Sequence, residues 1–148
     1  RLGMEIQPKN MTAEEKDLCR KAIAEYKEIR PVVQFGDLYR LVSPYDGKNI
    51  ASLMYCSPEK DKAVFYWWKL ETFYNEHLPR VRMQGLDPDK SYRIHELNRI
   101  DNEALPYEDK VFTGKYLMEN GLEMPLKHKV DYHKQDDWSS RVLYLTAE

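Results

Sequence analysis

Acidic pairs, four histidines, two cysteines and a double tryptophan are the residues of this chain whose chemistry could amount to a function. Glu14-Glu15, Asp87 with Asp89, and Asp136-Asp137 offer the paired carboxylates used in glycoside hydrolysis, where a separation of about 5 Å supports retention of configuration. Each pair stands where a helix cap or a turn is expected, so the sequence reads them as solvated surface. His77, His95, His128 and His133 fall in different segments, and His128 and His133 are spaced to face opposite sides of a regular strand. A metal site would therefore have to assemble through folding, and none is expected.

Cys56 would be a nucleophile only beside a base that lowered its pKa, and it lies in an apolar strand run. Cys56 and Cys19 both read as small core hydrophobes rather than partners in a bridge. In Phe65-Tyr66-Trp67-Trp68 successive side chains alternate faces, so one tryptophan enters the core. The other must face a loop, another domain or solvent, where it could stack on a sugar. No Gly-rich phosphate loop, serine elbow or His-Glu-x-x-His helix is present. No catalytic residue, cofactor or metal is expected within the chain.

The elements that must position these groups change character near Pro31. Thr12-Ala13-Glu14-Glu15 has capping-box spacing, and Leu18, Cys19, Ala22, Ile23, Tyr26 and Ile29 form one apolar stripe. This predicts a helix over about 13–30, stopped by Pro31, which disfavours helical geometry at Arg30. Beyond it the period falls to two. Strands are expected at 35–42, 50–56, 63–70, 80–84, 91–97 and 140–146, with weaker elements at 111–118 and 127–133. The segment 57–61 should close a hairpin, and 85–90 should reverse the chain. In 91–97, Tyr92, Ile94 and Glu96 share one face. Seven or eight short strands after one helix imply an all-β fold, an antiparallel Greek-key β-sandwich preceded by an N-terminal α-helix.

A chain of 148 residues suits one main core that buries roughly two-thirds of its unfolded surface. With 23 basic against 25 acidic residues the net charge is -2, which lacks the positive field that nucleic-acid binding requires. No apolar run reaches the ~18 residues of a membrane span. The first residue is Arg1 rather than Met, which predicts a piece of a longer polypeptide.

Together these residues resemble the C-terminal end of a glycoside hydrolase family 36 α-galactosidase. Arg1-Leu2-Gly3-Met4-Glu5-Ile6 is similar to the Gly-Arg-Leu-Gly-Tyr-Glu-Leu segment near the end of that family's catalytic barrel, with Met4 and Ile6 substituting. The helix through Tyr26-Lys27-x-x-Arg30 resembles the barrel's last helix. Gln34-Phe35-Gly36-Asp37-Leu38-Tyr39-Arg40-Leu41 with Ser43-Pro44 resembles the junction into the C-terminal β-sandwich, and is the most specific piece. Gly85-Leu86-Asp87-Pro88-Asp89-Lys90-x-Tyr92-Arg93-Ile94, Gly114-x-Tyr116-Leu117-Met118, Gly121-Leu122 and Ser140-Arg141-Val142-Leu143 continue it in order. The segments 67–74 and 101–110 depart from it.

The resemblance implies residues 1–31 as the tail of a barrel and 32–148 as a C-terminal β-sandwich domain. It implies a parent that hydrolyses terminal α-linked galactose by retaining double displacement on two barrel aspartates, both upstream of Arg1. The partners so implied are the catalytic barrel of the same polypeptide and, for the parent, an α-galactoside; a homo-oligomeric parent is left open. The alternative from the residues alone is an independent carbohydrate-binding module with Trp67 or Trp68 as its platform.

Overall fold

The computed structural model describes residues 6–47, 49–71, 78–97, 99, 104–124 and 138–148. Helix α1 (Ala13–Phe35) starts as its capping box dictates: Thr12 Oγ1 accepts from the Glu15 amide at 3.2 Å, and Glu15 Oε2 accepts from the Thr12 amide at 2.8 Å. Pro31 does not stop it. The ring is exposed, and the Lys27 carbonyl that loses its helical donor belongs to an exposed residue and can turn to water. Ile29 and Val32, 5% and 4% exposed, are packed on either side of the proline and hold the helical path. The helix ends at Gly36, whose N–H donates to the Val32 carbonyl at 2.8 Å. A Cβ there would stand 2.5 Å from Val32 O and 2.6 Å from Cys56 O, so the entry into the sheet requires glycine.

Six strands follow among the described residues: β1 (Asp37–Val42), β2 (Ile50–Cys56), β3 (Lys62–Lys69), β4 (Ser91–Leu97), β5 (Val111–Thr113) and β6 (Ser139–Ala147). They form one sheet in the order β1-β2-β3-β6-β4-β5, with every neighbouring pair antiparallel. The expected architecture, an antiparallel all-β domain behind one helix, is the one observed. β2 and β3 make the expected hairpin, in which Cys56 faces Ala63. Ser57 closes it: its Oγ donates to Asp61 Oδ1 at 2.6 Å and accepts from the Asp61 and Lys62 amides. β6 returns to lie between β3 and β4, a crossover of the Greek-key kind.

Two expected elements differ. In 80–84 the described structure has only an isolated bridge, Val81 to Leu122, because Gly85 at φ 76° turns the chain away after a short approach. The run 111–118 divides into β5 and a helix, α2 (Gly114–Glu119), because the Thr113 hydroxyl accepts from the Tyr116 amide and starts a helical turn. Leu117 then drops into the core with no exposed surface. The expected element at 127–133 lies outside the described residues.

The sheet buries both faces. On one, Ile50, Met54, Phe65, Trp67, Ile94, Leu143 and Leu145 meet Met83, Leu105, Tyr107, Leu117, Leu122 and Met124 from the bridge, loop and α2 segments. On the other, Val64, Leu97 and Tyr144 meet Ile29 and Val32 of α1. Among the described residues no helix is long and apolar enough to cross a membrane.

Candidate interdomain surface

The apolar stripe of α1 is divided along its length. Its last turns close the core through Ile29 and Val32, with Tyr26 and Val33 beside them. Its first turns do not: Leu18 is 42% exposed, and it lines a recess of about 430 Å³ with Ile6, Met11 and Cys19. Salt bridges flank this recess on the helix surface, Arg20 with Asp17 and Lys21 with Glu25. Phe35 at 77% and Leu38 at 39% add exposed apolar surface at the far end of the helix. A helix that buries only one end of its stripe leaves apolar surface exposed at the other.

Beneath the helix lies an aromatic group. Tyr66 meets Tyr55 edge-on at 6.3 Å and stacks on Trp68 at 5.7 Å, with the two planes 7° apart. Burial pushes the Tyr66 phenol up to about 12, with Tyr55 and Tyr26 adding to the shift. The two tryptophans separate as alternation predicts. Trp67 is 2% exposed in the core, and Trp68 lies on the helix side of the sheet. Trp67 is thereby removed as a sugar platform.

The other chemistry-bearing residues are placed as follows. Glu15 is engaged in the cap of α1, and the Asp87 carboxylate accepts from the Asp89 amide at 3.0 Å within a turn. Glu15 also lines the recess beside Leu18, with its carboxylate engaged by the Thr12 amide, and the Asp87 carboxylate is engaged within its own turn. Asp136-Asp137, His77, His128 and His133 lie outside the described residues. His95 finds two partners the sequence did not suggest: its Nδ1 is 2.7 Å from Glu108 Oε1 and 3.7 Å from Asp109 Oδ1. Glu108 also accepts from the Glu96 amide and has Arg99 at 4.0 Å, so the group straps the 105–110 loop to β4.

Cys56 is 2% exposed, its Sγ lies 3.5 Å from the Gly85 carbonyl, and burial raises its pKa. With native chain, a thiol reagent is expected to modify Cys19 well before Cys56, which should react only after unfolding. Equal rates at the two cysteines, resolved by peptide mass analysis, would contradict this burial. A buried pair, Glu96 with Arg141, and a cleft between Arg80 and Glu123 were not anticipated as sites. The one advance signal was Glu96 falling in register with Tyr92 and Ile94.

Comparison with known proteins decides the affiliation. The family model described as Glycosyl hydrolase family 36 C-terminal domain matches residues 50–145. This chain belongs to that family. The family 36 domain is 32% identical over 146 residues to a protein named Probable alpha-galactosidase G of Aspergillus terreus, covering 99% of this chain and 17% of that protein. It is 29% identical over 146 residues to Alpha-galactosidase 1 of Pediococcus pentosaceus, again with 99% and 17% coverage. Among solved structures, the GH36 α-galactosidase AgaA of Geobacillus stearothermophilus superposes with a TM-score of 0.74 at 30% identity, over 95% of this chain and 17% of that one. The α-galactosidase of Lactobacillus brevis gives 0.76 at 26% identity, over 97% and 18%. The chain thus spans about 17% of the length of the curated relatives it matches.

Proposed function

We propose that this family 36 domain is the non-catalytic C-terminal accessory domain of a retaining α-galactosidase, packing on the catalytic barrel and stabilising it. The parent would hydrolyse terminal α-linked galactose, and residues 1–31 would be the tail of its barrel ahead of a sandwich domain at 32–148. The names of the relatives support this reading, including a variant of the Geobacillus enzyme solved in complex with raffinose.

The observation that carries it is the division of α1. Helix Ala13–Phe35 runs without interruption across residue 31, with its last turns in the sheet's core and its first turns offering Leu18 and the adjoining recess. One rigid element shared in this way would couple the domain to the barrel and fix their relative orientation. An apolar side chain seated there stabilises by roughly 1.5–3 kcal/mol if fully buried.

Leu18→Asp tests the docking. In the chain alone an exposed position should tolerate it within about 0.5 kcal/mol, whereas in the chain joined to its barrel it should lower thermal stability markedly. Equal tolerance in both would reject the contact. Separately, the 148-residue chain should not turn over an aryl α-galactoside. Turnover that persists through repeated purification would overturn the accessory reading.

A further inference from the structure

On the side of the sheet away from α1, a cleft of about 340 Å³ opens between the β5–α2 unit and the segment leading to the Val81–Leu122 bridge. Its volume is at the lower end for small-molecule clefts, roughly 300–1,000 Å³, which suits one small ring rather than a long chain. Phe112 and Tyr116 stack at 5.4 Å with their planes 21° apart, and Tyr116 remains 38% exposed. Leu122 and Tyr107 form the floor; the Tyr107 hydroxyl lies 3.2 Å from the Glu123 carbonyl, where it donates, and 3.1 Å from Met124 Sδ.

Two charged groups line the same cleft as these rings. Arg80 is held firmly: its Nε donates to Asn120 O at 2.9 Å and its Nη2 to Gly121 O at 2.8 Å and to the Tyr116 hydroxyl at 3.2 Å. Among the described residues Nη1 has no acceptor, which leaves it as a preorganised donor. Glu123, exposed on the same cleft, has a carboxylate with no hydrogen-bond or ion-pair partner among the described residues. A fixed cation alone would suit an anion, and a free carboxylate alone a cation. Both together over apolar rings suit a neutral ligand with one carbon-rich face and an edge that donates and accepts hydrogen bonds.

We propose that this cleft is a binding site for a pyranose sugar. The sugar's C–H face lies on the Phe112–Tyr116 wall, and its hydroxyls bridge Arg80 Nη1 and the Glu123 carboxylate. The site is on the opposite side of the sheet from the helical docking surface, so an occupied barrel contact leaves it open. It would let the accessory domain hold a saccharide independently of any active site.

The test is calorimetric titration of the 148-residue chain with methyl α-galactopyranoside, methyl α-glucopyranoside and the open-chain polyol sorbitol, each to ~50 mM. Saturable millimolar binding of at least one pyranoside, with none of sorbitol, is the expected result. Tyr116→Ala should weaken it about fivefold to tenfold, and Glu123→Gln, an exposed change that leaves the packing intact, about threefold. Leu18→Asp should leave it unchanged. Absence of saturable heat from the folded chain with both pyranosides would overturn the site, as would binding that neither Tyr116→Ala nor Glu123→Gln weakens. Because this assay uses no catalytic barrel, its failure leaves the accessory role untouched, and failure of the docking test leaves the cleft untouched.

Discussion

Arg141→Met is expected to destabilise the chain by about 3–5 kcal/mol, among the largest effects of any single substitution outside the hydrophobic core. Arg141 Nη1 lies 2.6 Å from Glu96 Oε1, and the two side chains are only 8% and 5% exposed. Both charges were taken out of water to reach this position, and each is tolerable only because the other is there. Methionine fills much of the arginine's volume but leaves the carboxylate buried with no counter-charge. Glu96 Oε2 already lacks a hydrogen-bond partner among the described residues, so nothing nearby takes up the loss. The melting temperature should fall by roughly 6–20 °C for a domain of this size.

The informative companion is the double variant Glu96→Leu with Arg141→Met, which removes both desolvation penalties. It should recover most of the stability lost in the single variant. A single variant that loses less than about 1 kcal/mol, measured by urea unfolding, would mean that water reaches the pair and that the burial described here is wrong.

Trp67→Ala is expected to cost a similar amount, about 3–5 kcal/mol, through lost transfer energy and the cavity left behind. Trp67 is 2% exposed and sits opposite Arg141 in the β3–β6 pairing, on the face shared with Phe65, Ile94 and Leu143. Trp68→Ala should cost about 1–2 kcal/mol, since that ring is only partly buried and chiefly loses its stack on Tyr66. The ranking of the two is the test. Equal costs, or the reverse order, would contradict the assignment of adjacent tryptophans to opposite faces.

Much of this was legible in the chain itself, where the signal was local. Strands 50–56 and 91–97 were read with the boundaries they have, because alternation over seven residues leaves only one register that buries the apolar set. The capping box at Thr12 and Glu15 was likewise readable, since its donors and acceptors are three residues apart. Pro31 misled, because its local preference was outweighed by the packing of Ile29 and Val32 against strands far away in sequence. The helical turn at 114–119 was hidden for a related reason: Leu117 needed a core to enter before Thr113 was worth more as a cap than as a strand residue.

The sequence by itself determined the class of the fold, the alternation that separates Trp67 from Trp68, and the likeness to family 36, since each is written in residue order and short spacing. It also put Glu96 on the core face without saying what would neutralise it. Only the tertiary structure supplied Arg141 from 45 positions away, brought Arg80, Phe112, Tyr116 and Glu123 into the lining of one cleft, and left Leu18 of the α1 stripe exposed while burying Ile29. Those outcomes depend on which segments the sheet order makes neighbours. That order follows from closing the whole core, which no short stretch of the chain can specify.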